Sequence, residues 1–407
     1  MRPTGVSRAA PSLSHQEDSR GETRTQNVLV MVDTSSEDGR AIARGISSYA
    51  VKHGAWNLWI QSASTPAAAS TIADLGGDGV IAAFGNALDV TAAVTSGIPC
   101  VNVGTRIPDS CNVPTVTSND IRTSELALEH FRERGLQNLA YVGPLSSPTC
   151  RHHAASFQAA ARLAGIDCDL FDCISETVPP SEWAIRREQL EGMLRKLDKP
   201  LGVFTFGAGS ANQVLQVCRW NNIPVPDHVS ILSGKDDELL CSALTPTISA
   251  IRTASEQIGY EAARQLDDLF SRKRPLSSEV TAVDPVLVSA RQSTEAIAIN
   301  DPDLLSAVRF IRENACGGIN VQEVADSVPI GRRSLERKFK EHFGRTPLDE
   351  IQRLRLGRVR ELLIKTDLPV SRIASDAGFG TPEYMTTMFK SRYGLTPLKF
   401  RSQTRAR

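Results

Sequence analysis

From Asn27 to about Ala290, short apolar runs alternate with stretches of helical periodicity. The runs are NVLVMVD, WNLWIQS, DGVIAAFG, PCVNVG, NLAYVG, LGVFTFG and VSILSG. They are rich in Val and Ile and bounded by Gly, Pro, Asn or Asp. Such near-continuous apolar runs suit strands buried on both faces of a parallel sheet. Between them, GRAIARGISSYAVKHG and TSELALEHFRERG have helical spacing. The second carries Leu126, Leu128 and Phe131 and stops at Gly135. Repeated strand–helix alternation predicts a doubly wound α/β architecture. Two lobes are expected, one from about 27–120 with part of 244–290, the other from about 121–243. Ligands of such folds sit outside the carboxyl ends of the strands. Those ends carry Asp33, Thr34, Gly85, Asn86, Arg106, Asn119, Asp120, Gly207, Asn212, Lys235 and Asp236, the small, polar and charged set that a polar ligand needs.

The pattern changes after Arg291. A polar connector, 291–303, leads to a helix start at Asp301-Pro302 and an all-helical module over 304–407. Within it, residues 319–347 and 370–397 are one unit written twice. Ala325 matches Ala374, Phe339 matches Phe389, Lys340 matches Lys390, Gly344 matches Gly394 and Pro347 matches Pro397. Each copy reads as a short apolar helix, a tight turn and a polar helix, which is a helix-turn-helix. Between the copies, PLDEIQRLRLGRVRELLIKT places Leu348, Ile351, Leu354, Val359 and Leu362 largely on one stripe, predicting a long rigid connecting helix.

Charge sharpens this division. The whole chain has zero formal net charge, but residues 296–407 hold 20 Lys+Arg against 13 Asp+Glu, leaving an acidic body and a basic C-terminal module. That asymmetry is the footprint of nucleic-acid binding. In the first copy, Leu335, Phe339 and Phe343 recur every four residues and should face a core. Arg332, Arg333, Glu336, Arg337, Lys338 and Lys340 are left on the other faces. Arg333 and Arg337 lie one turn apart and can both grip guanine O6 and N7, whereas Lys338 and Lys340 suit phosphates. The second copy offers Thr381 as an N-cap, Pro382 at the first helical position, and Glu383 and Thr387 toward bases, with Lys390 and Arg392 toward phosphates.

Other classes find little support. No apolar run reaches 18 residues, so no membrane span is expected. The first 26 residues lack the apolar segment of a secretory signal and read as a disordered tail. The eight cysteines form no CxxC pair and read as reduced thiols. FTFGAGSAN (204–212) has Asn212 where a dinucleotide fingerprint has its third glycine, and His152-His153 diverge on a helix. Neither a cofactor, a metal nor a catalytic role is expected.

The phrases RRSLERKFKEHFGRTP and ASDAGFGTPEYMTTMFKSRYGLTPLKFR resemble the two halves of AraC/XylS-family transcription regulators. The preceding body resembles the periplasmic-binding-protein fold of LacI/GalR sensors. The resemblance implies a cytoplasmic homodimer that binds a monosaccharide of the xylose type in its cleft and activates catabolic genes through RNA polymerase on double-stranded DNA. Arg333 and Arg337 match groove-facing positions of the first reading helix, and Pro382, Glu383 and Thr387 those of the second. In the cleft, the strand ends offer Asp33, Arg106, Asn212 and Asp236 as ligand residues, and the resemblance implies a sugar-gripping group on the following helix, which Arg151 or His153 must supply. Lys235 stands where these sensors carry a sugar-binding aspartate. A cation in place of an acceptor leaves open a sugar acid or other anion as ligand, or a regulator whose pocket is inactive.

Overall fold

The computed structural model describes residues 25–53, 56–62, 77–84, 95, 97–104, 112–173, 180–271, 279–295 and 301–405. Residues 1–24 of the expected tail, and the strand-end candidates Gly85, Asn86 and Arg106, lie outside these. Gln26, counted with the tail from sequence, instead opens the first strand.

Two six-stranded sheets form the body. The first has the order β11-β5-β4-β3-β1-β2, from β1 (Gln26–Val32), β2 (Trp56–Ser62), β3 (Gly79–Ala82), β4 (Cys100–Asn102), β5 (Thr115–Ser118) and β11 (Val280–Val283). All its pairings are parallel. The second has the order β12-β10-β9-β8-β6-β7, from β6 (Asn138–Gly143), β7 (Cys168–Asp172), β8 (Leu201–Thr205), β9 (Val229–Ser233), β10 (Ser249–Arg252) and β12 (Leu287–Ser289). Only its β10–β12 edge is antiparallel. The expected two-lobed α/β body followed by a helical module is what the chain forms. The central strands β3, β8 and β9 are buried at every position, which is why they read as unbroken apolar runs.

The chain passes between lobes three times. It leaves the first sheet after β5 and enters α2 (Asp120–Arg132), whose Ala127, Leu128 and Phe131 belong to the core of lobe two. It returns after β10 into α7 (Ser255–Phe270), which packs on α1 (Glu37–His53) in the core of lobe one. It crosses back between β11 and β12. The α1–α7 contact depends on two glycines. A Cβ on Gly45 would stand 1.9 Å from the Glu256 carbonyl oxygen, and one on Gly259 would stand 2.0 Å from that of Ile42. Any larger residue would force the helices apart.

Residues 291–295 are not free connector. Ser293 and Thr294 are fully buried in lobe two, where the Ser293 hydroxyl donates to the Ile231 carbonyl at 2.6 Å. The helical module starts at α8 (Pro302–Asn314), whose N-cap Asp301 accepts from the amides of Asp303 and Leu304. Two cores follow. The first joins α8, α9 (Val321–Asp326) and α10 (Arg332–Phe343) around Leu335, Phe339 and Phe343. The second joins α12 (Val370–Asp376), α13 (Pro382–Tyr393) and α14 (Pro397–Arg405) around Met385 and Phe389.

The connecting helix α11 (Pro347–Lys365) serves both cores. Ile351 enters the first, and Leu356, Val359, Leu362 and Leu363 enter the second. Its apolar positions therefore do not form one stripe, and Leu348, placed on that stripe from sequence, is 47% exposed. Gly344 and Gly394, equivalent in the repeat, end α10 and α13 with φ of 69° and 73°. Glycine takes this left-handed conformation without a steric penalty, and the cap amide closes onto the carbonyl of Lys340 or Lys390.

Candidate functional site

Two surfaces carry chemistry: the cleft at the carboxyl ends of the strands and the exposed faces of the repeated second helices. At the cleft, β1 runs into Asp33, whose carboxylate accepts from the Ser35 amide at 3.0 Å and hydroxyl at 2.5 Å. Partial burial pushes its pKa upward, but the hydrogen bonds from Ser35 and Ser36 hold it below the ordinary value. Asp33 is exposed and stays ionised, an acceptor for hydroxyl groups.

Lys235 follows β9 in lobe two. Its ammonium lies 3.6 Å from Asp38 of lobe one and 4.6 Å from the centroid of the Phe206 ring. The other oxygen of Asp38 accepts from the hydroxyls of Thr253 and Ser255, each at 2.6 Å, at the β10–α7 crossing. Lys235 thus spans the two lobes on a carboxylate anchored at the hinge. Asp120, the first residue of α2, lies 3.8 Å from His152 and close enough to Lys235 to feel its charge. Burial pushes the Asp120 pKa up, and the neighbouring His152, when protonated, and the Lys235 charge oppose that.

Several sequence candidates are committed elsewhere. Asp236 has a side chain 2% exposed and points to the hinge, accepting from Arg291 at 2.9 Å and from Ser289 at 2.8 Å. It braces β9 against β12 rather than facing the cleft. His153 is buried on α3 (Pro148–Leu163), with Nδ1 3.0 Å from the Tyr141 hydroxyl and its ring 5.1 Å from that of Phe204. Burial, then the Lys235 charge, pulls its pKa down to about 3, so it is a neutral support beneath the strand ends. Arg151 is exposed, and its guanidinium donates to the carbonyls of Leu145 and Ser146 at 2.8 and 2.7 Å. Asn212, partly exposed on α5 (Ala208–Trp220), accepts from Gln216 at 3.1 Å. Sequence reasoning missed Asp38 and Phe206. An acidic residue in the first turn of the helix after β1 was the available signal for Asp38.

In the first helix-turn-helix, burial of Leu335, Phe339 and Phe343 leaves Arg332, Arg333, Arg337 and Lys340 exposed on α10. Arg332 pairs with Glu336 at 2.9 Å and Arg337 with Glu341 at 3.0 Å, both between exposed partners. Such pairs contribute little to stability and open readily for another acceptor. Arg333 makes no ion pair among the described residues. Lys338 differs from expectation. Its ammonium is held by Asp301 and lies 3.8 Å from Asp303, tying α10 to the start of α8. Two carboxylates already compete for this lysine, so it is less available to phosphate than Lys340. A cavity of about 640 Å³ separates the far end of α10 from lobe two, bounded by Lys340, Phe343, Arg132, Asp167, Asp169 and Asp198.

In the second unit, the Thr381 hydroxyl caps α13 by accepting from the Tyr384 amide at 3.3 Å, and Pro382 follows at the first helical position. Glu383 and Lys390 are exposed. The Thr387 hydroxyl donates back to the Glu383 carbonyl at 3.0 Å. Arg392 lies 3.9 Å from Glu129 on lobe two. Tyr384, not anticipated, is 48% exposed with its hydroxyl accepting from Gln352 at 3.0 Å.

Comparison with known proteins covers both parts. A periplasmic binding protein-like domain matches residues 128–294, and a helix-turn-helix domain matches residues 324–403. The xylose operon regulatory protein of Escherichia coli strain K12 is 28% identical over 385 residues, which is 93% of this chain and 97% of that protein. The solved structure of a xylose-binding transcription activator matches with a TM-score of 0.58 and 27% identity, over 94% of this chain and 99% of that one. A LacI family regulator from Enterococcus faecium, solved with bound ribose, shares the fold of the body with a TM-score of 0.55. It is 19% identical, over 67% of this chain and all of that one.

Proposed function

Because the chain belongs to the transcription regulators that join a periplasmic-binding-protein-like sensor to an AraC-type helix-turn-helix domain, we propose that it senses a xylose-class monosaccharide and activates genes for that sugar's use. The observation that carries this reading is the full-length match across both domains, combined with a cleft of ionised and hydroxyl-bearing strand ends beside an aromatic ring. Carboxylates accept from sugar hydroxyls, and a ring such as Phe206 covers a sugar's apolar face. The Lys235–Asp38 contact bears on the choice of ligand. A cation already facing a carboxylate at 3.6 Å has less attraction left for an anion. This favours a neutral sugar over a sugar acid.

In this reading the sugar binds better when the lobes are closed, and only that difference can shift the DNA-binding state. The 19 residues of α11 span about 28 Å. That length suits two reading helices set on successive major grooves, whose repeat is roughly 34 Å. Arg333 and Arg337 read bases, Lys340 and Lys390 hold phosphates, and Glu383 and Thr387 face bases from the second unit. The working form is a homodimer in the cytoplasm, recruiting RNA polymerase.

Isothermal titration of the full chain with D-xylose and then with xylonate tests the proposal. Saturable heat with xylose, weakened in Asp33→Ala, is expected. Heat with xylonate alone would replace the neutral-sugar reading with an acid sensor.

A further inference from the structure

We propose that α2 carries the state of the cleft to the DNA-reading domain, with Glu133–Arg353 as its output contact. The inference rests on reading the cleft as the ligand site. Helix α2 has one end at each place. Its first residue, Asp120, faces His152 at 3.8 Å and feels Lys235 at the cleft. Its cap, Asn119, accepts from the Arg122 amide at 3.1 Å and donates to Asp284 at 2.8 Å, just after β11. Thirteen residues later, about 20 Å along the axis, the C-cap Glu133 takes the Arg353 guanidinium of α11 at 2.7 Å. One turn before it, Glu129 lies 3.9 Å from Arg392 of α13. The same helix end also holds the chain exit. His130 and Arg134 bond the side chain and carbonyl of Thr294 at 2.9 and 2.5 Å, immediately before the connector.

The output contact is poised rather than inert. Arg353 also grips Glu350 on its own helix at 2.8 and 2.9 Å, and Arg345 takes Glu350 at 2.7 Å. With Arg134 and Arg312 beside them, four guanidiniums share two carboxylates. Glu133 supplies the carboxylate from the sensor side. If it withdraws, the three guanidiniums of the helical module, Arg312, Arg345 and Arg353, are left on Glu350 alone and the hold between the domains is lost. A small rotation of α2, set at the cleft by Asp120, therefore changes the hold on α11, the helix common to both helix-turn-helix cores.

Amide hydrogen exchange on the full chain tests this in Asp120→Asn, Glu133→Gln and the double variant. Each single change should speed exchange of the amides in 352–360 by on the order of tenfold. The double variant should be no faster than the larger single effect, because distant sites that act independently would add. Arg353→Lys, which keeps the cation but loses the two-pronged grip, should act in the same direction. It decides the matter if Glu133→Gln fails to fold. An Asp120→Asn effect confined to residues 119–124, or additive effects, would overturn the proposal. Saturating D-xylose separates this from the sugar reading. In the wild type it should alter both 119–124 and 352–360, and in Glu133→Gln only 119–124. A change at 119–124 alone in the wild type would overturn the coupling. No change at either segment would sink the sugar reading, leaving the Asp120→Asn arm to decide the joint.

Discussion

Glu350→Gln isolates the charge on which the helical module depends. Glu350 is 1% exposed and accepts three hydrogen bonds from guanidinium groups, one from Arg345 and two from Arg353. Burial alone would raise its pKa, yet the two arginines hold it down to about 2, against an ordinary 4.5. At roughly 1.4 kcal/mol per pKa unit, ionisation of this group stabilises the fold by ~3 kcal/mol. That agrees with the ~3–5 kcal/mol lost when one partner of a buried pair is removed. Because the folded-state pKa is depressed, this stabilisation is complete above about pH 4.5 and is lost as pH falls toward 2. The amide introduced by the substitution can accept a bond but carries no charge. Hydrogen exchange of the full chain at pH 7 should show the amides of 347–365 exchanging about a hundredfold faster than in the wild type, ~3 kcal/mol expressed as a rate ratio. Acceleration below about threefold would refute the reasoning and mean that the guanidiniums are stabilised by something other than Glu350.

Further outcomes concern DNA affinity and pH-dependent stability. Arg333→Ala should cost about 1–3 kcal/mol of specific DNA affinity, while Lys390→Ala should weaken binding to all sequences and lower the salt slope by about one. Anisotropy titrations at several salt concentrations separate the two, and unchanged affinity in Arg333→Ala would remove it from the reading face. Buried His130 and His153 both have depressed pKa values, that of His153 about 3. Their contribution is therefore present above about pH 6.5 and is lost as pH falls, by on the order of 1.4 kcal/mol per unit for each. All four tryptophans lie in the sensor, so denaturant unfolding followed by their fluorescence reports that loss. His153→Phe should reduce the slope between pH 6.5 and 5, and an unaltered slope would contradict the assignment.

The α/β body and the doubled helix-turn-helix were legible because their signals are local. Buried parallel strands write unbroken apolar runs, and the repeat places Phe339 with Phe389 and Gly344 with Gly394. Long-range commitments were not legible. Sequence order returned part of 244–290 to the first lobe but could not say which part: β10 and β12 belong to the second sheet, while β11, with α7 packed in the same lobe, belongs to the first. Asp236 and His153 sit at strand-end and helix-start positions where a ligand group is expected. Arg291, 55 residues away, claims the first, and the Tyr141–Phe204 cluster encloses the second. Lys338 looked like a phosphate contact because its partner Asp301 belongs to another helix. Leu348 looked buried because a single stripe was assumed for a helix that fills two cores.

The most direct test of a ligand-governed, sequence-specific DNA binder is selection of a random duplex library by the full chain, with and without D-xylose. An enriched pair of half-sites about one helical turn apart, roughly 10 base pairs, is expected, recovered far more strongly with the sugar. Enrichment of no sequence in either condition would contradict it.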